Sequence, residues 1–225
     1  MNLYYDGASV EEIKEALDVG VITGVTTNLS FCKKEMDRRN ISYKKLLSEI
    51  HYLLKKSKRN LSFSVQVSSN RPEKILKEAV ALNKKYSSGV DLKIKIPISY
   101  ENSKIISLLV KKNVKVNATC VTSFLQGLCA AHLGCTYISF FWGKMTDEGI
   151  DSEKIVSQFN LLLNNDKNNF KSKILVGSIR QTSVITEALN AGADIVTLQN
   201  SNFKKILDQI KSNEANNIFQ KDWNK

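Results

Sequence analysis

The sequence predicts an α/β protein built as a (β/α)₈ TIM barrel with a C-terminal helical extension, and three observations predict it. Eight short apolar runs alternate with longer stretches whose apolar residues recur every three or four positions. The alternation covers about 210 residues with no linker and no shift in composition, as in a closed strand–helix repeat. No GxGxxG fingerprint follows any strand, which argues against a doubly wound open sheet. The expectation is a single domain over residues 1–225, with 203–225 as the extension.

The strands are expected at 3–6, 21–25, 61–66, 92–96, 115–119, 136–141, 173–177 and 194–198. Helical faces lie between them. Val10, Ile13 and Leu17 make one, followed by Ile75, Ala79 and Leu82, then Ile105, Ile106 and Leu109, then Ile155, Phe159 and Leu162. Ser9 caps the first helix, with Glu12 at capping-box spacing. The segment 30–58 reads as one long, broken helical region, and Gly192 as a helix stop. The tail ends in Phe219-Gln-Lys-Asp-Trp-Asn-Lys225, an aromatic, amphipathic stretch suited to covering a neighbouring subunit or its own barrel.

Composition narrows the function. The 225 residues are 42% hydrophobic and 24% charged, ordinary globular values, and no apolar run reaches the roughly 18–20 residues that span a bilayer. The N-terminus reads as a strand rather than a signal or transit peptide. Cys32, Cys120, Cys129 and Cys135 have no CxxC spacing and there are only two histidines, so no zinc site suggests itself and the chain reads as cytosolic with free thiols. The net charge of +11 raises the question of nucleic acid. Its lysines, however, are scattered through every amphipathic segment instead of forming one basic, aromatic-interleaved stripe.

The candidate chemistry centres on Lys95, in Asp91-Leu-Lys-Ile-Lys-Ile-Pro-Ile98. Parallel strands are buried on both faces, so an ammonium near the middle of one is costly. Lys93 is expected to reach solvent at the strand's start, whereas Lys95 has no such exit unless the fold opens there. Burial disfavours the charged form and so makes the amine a nucleophile; at an ordinary pKa of about 10.4 the free amine at pH 7 is under roughly 0.1%. Barrel enzymes build their sites at the C-terminal ends of strands. Those ends carry Asp6, then Thr26-Thr27-Asn28, Gln66, Lys95 and Thr119. The sixth brings Ser139, Phe141 and Lys144, and the seventh Ser178 and Arg180. This set suits imine chemistry, with an amine, a carboxylate base at Asp6, and hydroxyl and amide groups to hold a substrate or a water. Lys144, Ser178 and Arg180 suit a phosphate monoester.

Six ordered segments resemble the transaldolase family. Gly24-Val-Thr-Thr-Asn-Leu-Ser30 resembles its GVTTNPS segment, and Lys93-Ile-Lys-Ile-Pro97 its VKIP lysine motif. Val116-Asn-Ala-Thr119, with Gln126 and Ala130-Ala131, is similar to its NVT…Q…AA stretch. Ser139-Phe-Phe-Trp-Gly-Lys144 is similar to SPFxGR, Ser178-Ile-Arg180 to the SxR phosphate motif, and Asp222-Trp-Asn224 to the ending of short-chain members. The resemblance covers essentially the whole chain. It implies a class I aldolase barrel needing no metal or cofactor, acting as a transaldolase on sugar phosphates. A fructose-6-phosphate aldolase and a weakly catalytic sugar-phosphate-binding barrel are the alternatives. By motif position Lys95 would be the Schiff-base lysine and Asp6 the acid/base. Thr119 and Gln66 would position a water, and Asn28 and Ser139 would contact the dihydroxyacetone unit. Lys144, Ser178 and Arg180 would hold phosphate. The resemblance also implies a homo-oligomer, a ring-stacked decamer. Gly7, Leu29, Phe140 and Lys144 depart from the pattern. Gln66 follows the aldolases and Phe141 the transaldolases. Phe141 at the rim would keep the adduct dry and favour transfer over release.

Overall fold

Eight strands close into a parallel barrel in chain order, and the eighth pairs back onto the first. The computed structural model describes residues 2–165, 167 and 169–225. The strands are β1 (Asn2–Asp6), β2 (Gly24–Thr26), β3 (Ser62–Gln66), β4 (Asp91–Pro97), β5 (Val116–Val121), β6 (Tyr137–Phe141), β7 (Lys173–Gly177) and β8 (Ile195–Leu198). The helices between them are α1 (Val10–Val19), α2 (Leu29–Arg39), α3 (Tyr43–Lys56), α4 (Pro72–Tyr86), α5 (Tyr100–Lys111), α6 (Phe124–His132), α7 (Trp142–Asp147), α8 (Ser152–Leu163) and α9 (Ser183–Asn190). The helices α10 (Asn200–Leu207) and α11 (Ile210–Trp223) follow the last strand as the C-terminal extension. None of the described helices is long and apolar enough to cross a membrane.

Local chemistry explains where the chain turns from strand to helix. Ser9, Asn28, Ser42, Ser99, Ser123 and Asp151 each accept a hydrogen bond from the backbone N–H three residues on, satisfying a donor that the first helical turn leaves free. Pro72 opens α4, where its missing N–H costs nothing. The broken helical region expected at 30–58 is two helices, α2 and α3, separated at Asn40 in the left-handed conformation (φ 50°). Gly192 follows α9 with φ 93°, and a Cβ there would lie 2.1 Å from the Asn160 amide.

Two core layers result from strand alternation. Outward residues such as Val25, Phe63, Ile94, Ile96, Val116, Ile138, Phe140 and Val176 pack against the helices in one large apolar cluster. The barrel interior is mostly polar, and among the described residues its buried apolar cluster is Tyr4, Tyr137, Leu175 and Ile195, toward the N-terminal ends of the strands. Hydrogen bonds that skip strands prove the inward direction: Tyr4 on β1 meets Tyr137 on β6 at 2.9 Å, and Asn117 on β5 donates to Ser64 on β3 at 3.1 Å.

Three expectations need correction. The second strand begins at Gly24 rather than residue 21, because Val21–Thr23 is an apolar lead-in whose Ile22 is buried without joining the ladder. The Ser9 cap forms, but Glu12 does not complete a capping box; its carboxylate accepts the Tyr5 hydroxyl at 2.5 Å instead. Lys93 does not escape to solvent. Only 1% exposed, its Nζ ion-pairs with Asp91, donates to Ser62 Oγ at 3.1 Å, and lies 4.4 Å from the centre of the Tyr137 ring. It belongs to the plug at the closed end of the barrel.

Candidate active site

Lys95 sits on the interior face of β4, one inward position above Lys93, with Gln66 and Asn117 as its register neighbours on β3 and β5. It is 6% exposed, and Nζ donates to the Thr27 carbonyl at 3.1 Å. Burial pulls its pKa down, and the charges of Asp6, Cys120 and Cys32 oppose that pull without reversing it. Lys93, by contrast, keeps a carboxylate partner. The two lysines therefore differ in their chemistry, and Lys95 is the one poised to be a neutral amine.

Asp6 ends β1 on the same rim. Its carboxylate accepts the Thr26 hydroxyl at 2.9 Å, and Thr26 shares a second bond of 2.7 Å with Thr197 on β8. Some of Asp6 remains open at the barrel mouth, but protein surrounds its carboxyl closely enough for burial to raise its pKa, against the lowering by Lys95 and Thr26. An amine biased toward neutral thus faces a carboxyl biased toward its acid form. That pair can add to a carbonyl and move a proton.

Hydroxyls and amides line the remainder of the mouth. Ser139 on β6 donates to the Asn117 carbonyl oxygen at 2.6 Å, continuing the chain to Ser64. Thr119 is fully buried on β5, and its Oγ1 is one of two buried side-chain polar atoms among the described residues without a hydrogen-bond partner, its nearness to the Cys120 thiol serving only to lower that thiol's pKa against burial. A buried hydroxyl left open is a binding group for a substrate atom or a water. The strand is bulged here, and Cys120 takes a positive φ of 61°. The end of β3 is pinned by Tyr43, whose hydroxyl donates to the Gln66 carbonyl at 2.5 Å, while the Gln66 side chain stays half-buried at the mouth. Asn28 spends its Oδ1 capping α2 through Phe31 N–H at 2.9 Å, which leaves its amide nitrogen as a donor. Phe141 is half-buried at the top of β6.

The expected anion-holding residues divide. Ser178 and Arg180 line a cleft of about 300 Å³ between α7, the loop after β7 and α9, together with Trp142, Gly143 and the carboxylates Asp147 and Glu187. Lys144 is exposed on α7 and lies outside that lining. Arg180 is not an open guanidinium: both terminal nitrogens are engaged by Asp147.

Strand-end reasoning thus brings Lys95, Asp6, Thr26, Thr119, Ser139, Gln66 and Asn28 to one mouth. It misses Asn117, Ser64 and Thr197, whose inward parity with Lys95 and Thr26 was the available signal. It also misses the two thiols flanking Lys95. Burial raises both, with Cys32 pushed up to about 11, so neither is a reactive thiolate.

Residues 3–225 match the family described as transaldolase/fructose-6-phosphate aldolase. A probable transaldolase of Thermoplasma volcanium is 33% identical over the whole chain and 96% of its own length. Another, of Clostridioides difficile, is 35% identical over 99% of the chain and 97% of its own. Among solved structures, thiamine phosphate pyrophosphorylase from Pyrococcus furiosus superposes with a TM-score of 0.57 at 16% identity, covering 88% of this chain and 85% of that one. That likeness concerns the barrel alone.

Proposed function

This chain belongs to the transaldolase/fructose-6-phosphate aldolase family, and from that premise we propose that it transfers a dihydroxyacetone unit between sugar phosphates through a Schiff base on Lys95. The observation that carries the proposal is the buried amine of Lys95, its pKa drawn down by burial, on the same rim as the half-buried Asp6 carboxyl.

In this reading Lys95 Nζ adds to the C2 carbonyl of a ketose phosphate, and the carbinolamine hydroxyl takes a proton from Asp6 and leaves as water. Thr119 Oγ1 and the Gln66 amide hold that water. Asp6, now a carboxylate, takes the C4 hydroxyl proton as the C3–C4 bond breaks; the first aldose phosphate leaves with its new carbonyl, and the bonding electrons pass into the protonated imine to give an enamine. Ser139 and Asn28 hold the hydroxyls of the three-carbon unit. The enamine carbon adds to the carbonyl of an acceptor aldose phosphate, Asp6 returns the proton, and hydrolysis frees Lys95. Phe141 shields the adduct from water in the interval, which favours transfer over release. Ser178 and Arg180, with Lys144 nearby, receive the phosphate.

The same proposal takes in a cytosolic setting and a homo-oligomeric assembly, for which α11 offers exposed Ile210, Ile218, Phe219 and Trp223. Gln66, the register neighbour of Lys95, favours a second reading, fructose-6-phosphate aldolase, because the family resemblance places glutamine there in the aldolases and glutamate in the transaldolases. Incubation with fructose 6-phosphate, with and without an aldose phosphate acceptor, separates the two. Transfer that depends on acceptor supports the first reading. Release of free dihydroxyacetone without acceptor supports the second. Full activity in Lys95→Met would sink both.

A further inference from the structure

Asp147, the last residue of α7, grips the Arg180 guanidinium with both carboxylate oxygens. The arrangement is built rather than incidental. A Cβ at Gly143 would lie 2.4 Å from the Ser178 carbonyl oxygen and 3.2 Å from Arg180 Nε, so only glycine lets α7 and the loop after β7 approach this closely. Ser178 completes that approach in the left-handed region, at φ 62°. Arg180 and Lys144 hold the Asp147 carboxyl below the usual carboxylate range, and it is ionised wherever the enzyme would work. The cationic group best suited to hold a substrate anion is therefore already holding one.

We propose that Asp147 sets the affinity threshold of this cleft: it occupies Arg180 as an internal anion that weakens every external anion alike, so that a dianionic phosphate monoester still binds at working concentration and a singly charged sugar carboxylate does not. The proposal rests on the reading above that the cleft takes the substrate phosphate. Exchanging one carboxylate for another gains nothing, and the internal one is favoured because it gives up no translational freedom to bind. A phosphate brings up to two charges and three acceptor oxygens. These can satisfy the fork of Arg180 and the Ser178 hydroxyl together, with Lys144 adding its field. Asp147 thus turns a general anion site into a phosphate site. If Asp147 served only to aim Arg180, its removal would weaken phosphate binding, so the sign of the effect separates the two roles.

The experiment is calorimetric titration of the intact protein with inorganic phosphate and, separately, with acetate as the monoanion, in mildly alkaline buffer. Asp147→Asn is expected to bind phosphate about 5- to 10-fold tighter than the parent and to acquire measurable acetate binding. Asp147→Glu, which keeps the lock, should behave as the parent, and Arg180→Gln should abolish binding. In turnover, Asp147→Asn should lower KM for a phosphorylated donor without raising kcat. Unchanged or weaker phosphate binding in Asp147→Asn overturns the proposal. Absence of phosphate binding in both proteins overturns it along with the phosphate role of the cleft. Covalent chemistry at Lys95 is read by a separate trapping assay, so its failure is distinguishable.

Discussion

Thr119→Val should make the protein more stable and less active. Thr119 is fully buried, and its Oγ1 has no partner. A hydroxyl buried in that state costs about 1–3 kcal/mol, and valine removes it while keeping the β-branched shape that suits a strand. The expected gain is about 1–2 kcal/mol, or roughly 2–4 °C per kcal/mol in Tm for a chain of this length. Thr26→Val is the matched control. Its hydroxyl bonds Asp6 at 2.9 Å and Thr197 at 2.7 Å, so the same substitution strands the buried Thr197 hydroxyl and one bond of the half-buried Asp6, and should cost about 1–3 kcal/mol. Urea unfolding of both variants at a common m-value gives the two signs, and single-turnover adduct formation gives the catalytic cost. That cost for Thr119→Val should be at least about 100-fold, the lower range for a positioned proton-transfer group. A stability loss above about 1 kcal/mol in Thr119→Val would refute the reading of this hydroxyl as unpartnered, and an unchanged rate would refute its reaction role.

Two further outcomes follow from the buried lysines. Burial lowers the Lys95 pKa in the folded protein, so the unfolded chain binds more protons and stability rises with pH from the folded value up to about 10.4. Lys95→Met should therefore be more stable than the parent at neutral pH, with the advantage fading toward that upper limit; a pH-independent difference would contradict the shift. At the closed end of the barrel, Asp91→Asn leaves Lys93 buried without its counter-charge and should cost about 3–5 kcal/mol. Lys93→Met leaves Asp91 paired with Lys115 at 2.7 Å and should cost under about 1 kcal/mol. Equal losses in the two unfolding curves would contradict this account of the plug.

The barrel was legible because its strands and helices carry different apolar periods, and because six helix starts carry a capping side chain such as Ser9, Asn28 or Ser99. What the sequence blurred was the difference between burial and pairing. Ile22 looks like strand because it is apolar, yet it packs beneath the ladder instead of joining it. Strand-end counting found most of the mouth, since the C-terminal rim depends on parity and position alone. Parity applied lower down would also have put Lys93 inside, with Asp91 two residues before it on the same face. Only closure of the barrel brings Tyr137 over it. The Arg180–Asp147 pair lies beyond any such signal, because 33 residues separate the partners and Gly143 sets their approach. Glu12 shows the opposite failure, a local motif overridden when a tertiary partner, Tyr5, offered its hydroxyl.

The central claim is that Lys95, and not its neighbour Lys93, is the nucleophile. Borohydride reduction in the presence of fructose 6-phosphate, followed by peptide mass spectrometry, tests it most directly. The account predicts a reduced adduct on Lys95 and none on Lys93; a folded protein that forms no adduct, or carries it on another lysine, would contradict it.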